Sequence, residues 1–258
     1  MSSTLIWQER LHYRDRLRSA RYAALADAEG FDEICFVLEA LGLRLSGAEG
    51  TLNSYFGSFG DLSNDSDVLH SVAPEFPTLF NKFPALYKAV QAARNDCMHS
   101  GVYARHATES GIALCIGLEE ALMKEQQLVR ITVGDFMVRS AVVVHPWQPV
   151  AYARQLMLMH SFSFLPVYVD GWKLIPEMSM AKYLPRSGDR RKAALGRSIR
   201  EAIAIDDGFL ELLDARVVAP DMDVAALLRD AEVNRPTLWL VEDGHGGLAG
   251  VLSPFELM

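Results

Sequence analysis

Residues 237–258 read TLWLVEDGHGGLAGVLSPFELM, and residues 163–184 read SFLPVYVDGWKLIPEMSMAKYL. At an offset of 74 and with no gap, Val167 falls on Val241, Leu174 on Leu248 and Ser179 on Ser253. The same offset holds upstream, where Val143, Val144 and Pro146 fall on Val217, Val218 and Pro220, and Val150 and Ala151 on Val224 and Ala225. Chance matches would scatter over many offsets. Self-similarity at one period marks a duplicated unit, and a unit too small to bury its own apolar face is completed by its twin. The C-terminal half is therefore expected to be one paired domain.

Within each copy the spacing of apolar residues predicts the same order of elements. Ala141 to Val144 is a β-branched run stopped by His145 and Pro146, which reads as a buried strand. Val150 to Met159 follows as an amphipathic helix, Phe164 to Val169 and Trp172 to Met178 as strands about the turn Asp170 and Gly171, and Ser179 to Leu184 as a short helix. The second copy repeats this with Val217 to Val218, Val224 to Asp230, Leu238 to Val241, a turn over Asp243 to Gly247, Leu248 to Leu252 and Ser253 to Met258. Each unit is thus strand, helix, strand, strand, helix, with repeat 1 at about 128–185 and repeat 2 at about 200–258.

The N-terminal half has a different texture. Leu11, Leu17, Leu25, Phe36, Leu38, Leu41 and Leu45 lie among polar residues, and only Gly30 interrupts them, which predicts two helices between Ile6 and Leu45. Gly47 to Pro77 is rich in Gly, Ser, Asn and Asp and reads as a long loop with short turns. A second helical stretch runs from Lys82 to about Gln127. The fold class expected is α+β and multidomain, with an all-α bundle over 1–127 followed by the duplicated α/β pair over 128–258.

Composition narrows the function. Half of the 258 residues are apolar and 22% are charged, a globular balance. A formal net charge of −8 argues against a surface given over to nucleic acid, which needs clustered Lys and Arg. Two local basic tracts exist: Arg10, Arg14, Arg18 and Arg21 at helical spacing, and Arg186, Arg190, Arg191, Lys192, Arg197 and Arg200 between the copies. Each reads as a solvated helix face. No run of about 18 apolar residues exists, and Met1 to Arg21 carries Arg and Glu in place of an apolar signal core, so neither membrane nor secretion is expected. Cys35, Cys97 and Cys115 are isolated and odd in number, which fits a reducing cytoplasm better than a disulfide framework. His12, His106 and His160 lack companions at metal-ligand spacing, so no metal is expected. Neither a glycine-rich phosphate loop nor a G-x-S-x-G elbow is present, which weakens kinase, dehydrogenase and hydrolase readings.

The V-x-P opening at Val144 and Pro146, the L-P-V-x-V-D-G hairpin from Leu165 to Gly171 and the G-V-L-S-x-x-E-L close from Gly250 to Leu257 resemble a tandem pair of CBS domains. The resemblance covers about 130 residues. It implies a disc-like module whose cleft binds an adenosine-containing ligand such as AMP or ATP and reports that binding to an attached domain. In that family a hydroxyl residue faces phosphate, and an Asp three positions later accepts the ribose hydroxyls. Here Ser253 and Glu256 keep that chemistry at a strand-to-helix junction, where free N–H groups and the helix dipole favour an anion. In the first copy Ser179 matches, but Lys182 stands at the carboxylate position and cannot accept a hydrogen bond, while Pro176 stands where Gly250 matches. At most one ordinary nucleoside site is therefore implied, on Ser253 and Glu256, with Val217 and Val218 near the base. The competing reading is that Ser253 only caps its helix and Glu256 is a solvated carboxylate.

In the helical half Arg94, Asn95 and His99 spell R-N-x-x-x-H, which resembles the signature of HEPN domains. Those are small helical bundles, usually dimeric, many of them metal-independent ribonucleases of toxin or defence systems, while others only bind nucleotide or act as scaffolds. The resemblance implies that His99 is the general acid or base, worth about 100- to 10,000-fold in rate, and that Arg94 clamps the phosphate. Asn95 would orient the imidazole or a phosphate oxygen, and Tyr103, one turn after His99, would touch substrate. Positions five apart on a helix point about 140° away from each other. Either the helix breaks near Asn95 and Asp96, or two subunits build one cleft, which implies a homodimer. Against this, Arg94 could simply pair with Asp96 or Glu119, with His99 a satisfied group between helices.

Together these readings predict a cytoplasmic homodimer in which a helical domain cleaves RNA under the control of an adenine nucleotide, with an antitoxin or other partner protein as a further expectation. The alternative is a regulator or scaffold without catalysis, whose helical domain mediates dimerisation or partner binding.

Overall fold

Apolar residues spaced by three and four build the helices that open the chain. The computed structural model describes residues 4–27, 30–96, 103–124, 131–186, 188–205, 209–233 and 237–258. The chain divides into two units, Met1–Val129 and Arg130–Met258.

The first unit carries α1 (Trp7–Ala26), α2 (Phe31–Ser46), α3 (Leu52–Ser63), a π turn (Val68–Val72), the single turn α4 (Ala73–Glu75), α5 (Phe83–Asp96) and α6 (Tyr103–Met123). Leu17, Ile34, Leu38, Leu41, Phe59, Leu114, Leu118 and Leu122 are buried in one core. The stretch expected to be a loop, Gly47 to Pro77, holds α3 instead. Leu52, Tyr55, Phe59 and Leu62 fall on one face of it and are buried. That burial outweighs the weak helix propensity of the Gly and Ser residues between them.

The arginines of α1 also depart from expectation, because they do not form a solvated face. Arg10 and Arg14 are buried. Arg10 Nη1 donates to the carbonyls of Ala121 and Leu122 in the last turn of α6, each at 3.3 Å. A cation there meets the orphan carbonyls and the negative end of the helix dipole. One turn earlier on α6, Glu119 accepts two bonds from Arg21, at 2.9 and 3.1 Å, and lies 3.8 Å from Arg18. The stripe is thus a seam between α1 and α6.

The second unit contains α7 (Val133–Phe136), α8 (Val150–His160), β1 (Phe164–Tyr168), β2 (Trp172–Pro176), α9 (Glu177–Tyr183), α10 (Gly188–Gly196), α11 (Ile199–Ile203), β3 (Leu213–Asp214), β4 (Arg216–Val218), α12 (Val224–Arg229), β5 (Trp239–Glu242), β6 (Leu248–Leu252) and a 3-10 turn (Pro254–Leu257). They form two three-stranded sheets, β1-β2-β3 and β4-β5-β6. The duplication is visible in the pairing: Val218 lies parallel to Val241, as Val144 does to Val167.

The gapless offset, however, stops at the hairpin. Leu165 pairs with Ile175, ten positions on, whereas Trp239, its counterpart, pairs with Leu252, thirteen on. The second hairpin is three residues longer, through its Asp243–Gly247 turn and an irregularity at Val241 and Glu242. Past that point Ser253 corresponds to Pro176, both of them N-caps, and Glu256 corresponds to Ser179.

The two repeats also exchange their leading segments. Val133 and Gly134 donate to the carbonyls of Met222 and Pro220, at 2.9 and 2.7 Å, while Ile199 and Arg200 donate to those of Gln148 and Pro146, both at 2.9 Å. The acceptors are the same positions of the two copies. Val133 and Met137 accordingly lie in the core of the second repeat, and Ile199 and Ala202 in that of the first. Each copy is completed by chain that precedes its twin.

Candidate functional site

Three turns in this unit use one local device. Thr132 donates its N–H and hydroxyl to Asp135 Oδ2, at 2.8 and 3.0 Å. Ser198 does the same to Glu201 Oε2, at 2.8 and 2.9 Å. Ser253 follows with Glu256 Oε2, at 2.7 and 2.5 Å, and its hydroxyl also accepts from Phe255 N. All three are capping boxes, in which a hydroxyl and an acid satisfy the orphan donors of a helix start. At Glu201 the Ser198 N–H and hydroxyl hold the carboxyl below its ordinary range. The structure therefore brings Ser253 and Glu256 together, but as partners of each other. A phosphate on the Ser253 N–H would have to displace that carboxylate and face its charge.

The two expected sites differ in exposure. Ser179 is buried, and its hydroxyl donates to the Glu211 carbonyl at 2.6 Å. Chain leading to β3 covers it, with Leu210 fully buried in the same core. Ser179 is thus no counterpart of Ser253 but a packing residue within α9. The second turn is open: Pro254 and Phe255 are exposed, and none of its residues is buried.

Val217 and Val218 line a depression of about 410 Å³ with Pro220, Asp221, Glu242 and Asp243, and neither Ser253 nor Glu256 borders it. Bonds from the Gly247 and His245 N–H groups hold the Asp243 carboxyl below its usual range, so it is charged. This depression is acidic and repels phosphate. Val218 belongs to the core of the second repeat, and Val217 is part-exposed.

Sequence reasoning missed the residues at the other end of that sheet. Arg216 and Leu252 flank Trp239 on either side, so Arg216 shares the end at which Ser253 begins its turn. Its guanidinium donates to the Asp230 carbonyl at 3.2 Å and lies 3.6 Å from the Asp230 carboxylate, in an exposed setting. Trp239 is buried, and its indole N–H has no acceptor among the described residues. The signal available in the sequence was the start of β4, where a lone Arg opens a β-branched pair.

In the first unit Arg94 lies in the last turn of α5 and forms an ion pair with Glu39 of α2. Glu119, the other partner considered, is held by Arg21 and Arg18. Asn95 is exposed on the same turn. His99 lies outside the described residues. Tyr103 is the first residue of α6.

No family model and no curated protein matches the chain. Solved structures of CBS-domain proteins are similar to about half of it. A CBS domain-containing protein from Bacillus anthracis is 16% identical, with a TM-score of 0.39, over 50% of this chain and 90% of that one. A CBS-domain containing protein from Agrobacterium tumefaciens is 19% identical, TM-score 0.38, over 52% and 95%. The CBS domain of a bacterial CNNM/CorC family Mg2+ transporter, solved in complex with ATP, is 17% identical, TM-score 0.38, over 49% and 83%.

Proposed function

We propose that residues 131–258 act as a CBS-type sensor of one adenine nucleotide held by the second repeat, and that the helical unit is the part it regulates. The observation that carries this reading is the asymmetry between the copies. In the first copy Ser179 is buried and its hydroxyl is used by Glu211, while in the second Glu256, at the corresponding position, is only half-buried. Glu256 spends Oε2 on Ser253, and its Oε1 is left to accept ribose hydroxyls. Arg216, at the same end of the sheet, is the cation that a phosphate would draw from Asp230. A nucleotide regulates only if it binds two states of the protein unequally.

The ribonuclease reading of Arg94, Asn95 and His99 has less support, since the guanidinium meant for phosphate is engaged by Glu39. A regulator without catalysis is the reading favoured. The test is melting of the wild-type chain and Glu256→Ala with AMP or ATP, beside cleavage of a labelled RNA in EDTA by wild type and His99→Ala. A nucleotide shift lost in Glu256→Ala, with no RNA cleavage, is the expected result. Cleavage abolished by His99→Ala would instead restore the enzyme.

A further inference from the structure

In the first repeat an open cleft of about 730 Å³ lies between the C-terminal half of α8, α9 and the start of α10. Its walls are apolar and rich in methionine, with Met157, Phe162, Met178, Met180 and Leu184 along them. Three guanidinium groups border the same space, those of Arg154, Arg186 and Arg191, against one carboxylate, that of Glu177. Arg154 and Arg191 are half-buried. Arg191 Nη1 donates to the Pro185 carbonyl at 2.6 Å, and none of the three arginines forms an ion pair with a carboxylate among the described residues. Cations partly withdrawn from water against an apolar wall are costly unless an anion reaches them. In a chain of formal net charge −8, this local excess of cations does not follow from composition.

The duplicated fold does not require these residues. Upstream of the hairpin, where the offset of 74 holds, Arg154, Met157 and Leu158 correspond to Leu228, Ala231 and Glu232. The helices differ as well: α8 and α9 have 11 and 7 residues, whereas α12 has 6 and the closing 3-10 turn has 4. The second repeat builds its hairpin with neither this cation nor this methionine. We infer that the cleft is a binding site for an amphipathic anion, a carboxylate or phosphate head on an alkyl body. Arg154 and Arg191 hold the head, since a guanidinium donates to two oxygens in one plane. The body lies against Met157, Phe162 and Met178, and methionine, unbranched and polarisable, adapts to an alkyl chain. Mostly apolar walls with a few converging polar groups, in a volume of this size, are what small-ligand sites present. The site belongs to the first repeat and does not depend on the nucleotide reading of the second.

Calorimetric titration of the full chain with decanoate and with decyl phosphate tests the site, each below its micelle-forming concentration. Decanol and decyltrimethylammonium serve as neutral and cationic counterparts with the same alkyl chain. Expected is one anion bound per chain, about tenfold or more tighter than either counterpart, as charge-assisted hydrogen bonds to a guanidinium provide. The tighter of the two anions identifies the head. Arg154→Gln should weaken that binding by about tenfold or more, for the same reason. Met178→Glu sets a carboxylate at an exposed position of the wall, outside the core, and should weaken it likewise even if Arg154→Gln folds poorly. Arg229→Gln removes an exposed cation of the second repeat and is expected to leave binding unchanged. Equal binding of all the head types, or anion binding that survives both cleft variants, would overturn the proposal. A wild-type dimer that Met178→Glu dissociates in light scattering would overturn it as well, because a second copy would then occupy the cleft.

Discussion

Ser253 donates both its backbone N–H and its hydroxyl to one oxygen of Glu256, at 2.7 and 2.5 Å. The pair is at once a helix cap and the candidate ligand site, and the two roles separate by mutation. Ser253→Ala removes a cap and is expected to destabilise the second unit by about 1 kcal/mol in urea unfolding. Glu256→Gln keeps an acceptor for the Ser253 N–H and is expected to lose less. A loss of several kcal/mol in either variant would show that the turn is held by contacts other than these.

The seam between α1 and α6 makes a larger prediction. Glu119→Ala leaves Arg21 without the carboxylate it bonds in a largely buried setting, which typically destabilises by about 3–5 kcal/mol. Arg21→Ala in the same background should recover part of that loss, because it removes the charge that lost its carboxylate. The check is a double-mutant cycle in urea; additive effects would mean that the pair is not coupled.

Alkaline pH should weaken the first unit. Burial, followed by the Glu119 carboxylate, pushes the Cys115 thiol above its ordinary value, and burial does the same to the Tyr87 phenol. For a raised group the folded state holds its proton more tightly, so the stability is complete below the unfolded pKa and declines above it. The decline should begin near pH ~8.5 for the thiol and steepen above ~10 for the phenol. Cys115→Ala is expected to flatten the first part of a stability profile between pH 7 and 10, and an unchanged slope would contradict the assignment.

The helix and hairpin of each copy were legible because alternation and β-branched runs are local signals, but the run Ala141 to Val144, expected as a strand, makes only a single bridge from Val144 to Val167, and β3 was not expected. The hairpin register was not legible. An offset of 74 aligned Ser179 with Ser253 by residue type, while backbone pairing aligns Pro176 there, and only the longer Asp243–Gly247 turn reveals the slip. The exchanged straps were equally invisible, since Val133 and Ile199 look like ordinary leading residues until their partners across the duplication are known. Leu52, Tyr55, Phe59 and Leu62 had helical spacing, but the breakers between them masked it. The arginines of α1 had the pattern of a solvated face and differ from one only in what α6 presents to them.

The most direct test of the sensor reading is the melting temperature of the wild-type chain, Glu256→Ala and Arg216→Ala, each with AMP or ATP. Nucleotide at about 100 times its dissociation constant stabilises by about 2.7 kcal/mol. The account predicts a clear upward shift in the wild type that is lost in Glu256→Ala and reduced in Arg216→Ala. No shift with either nucleotide, or an equal shift in all three proteins, would contradict it.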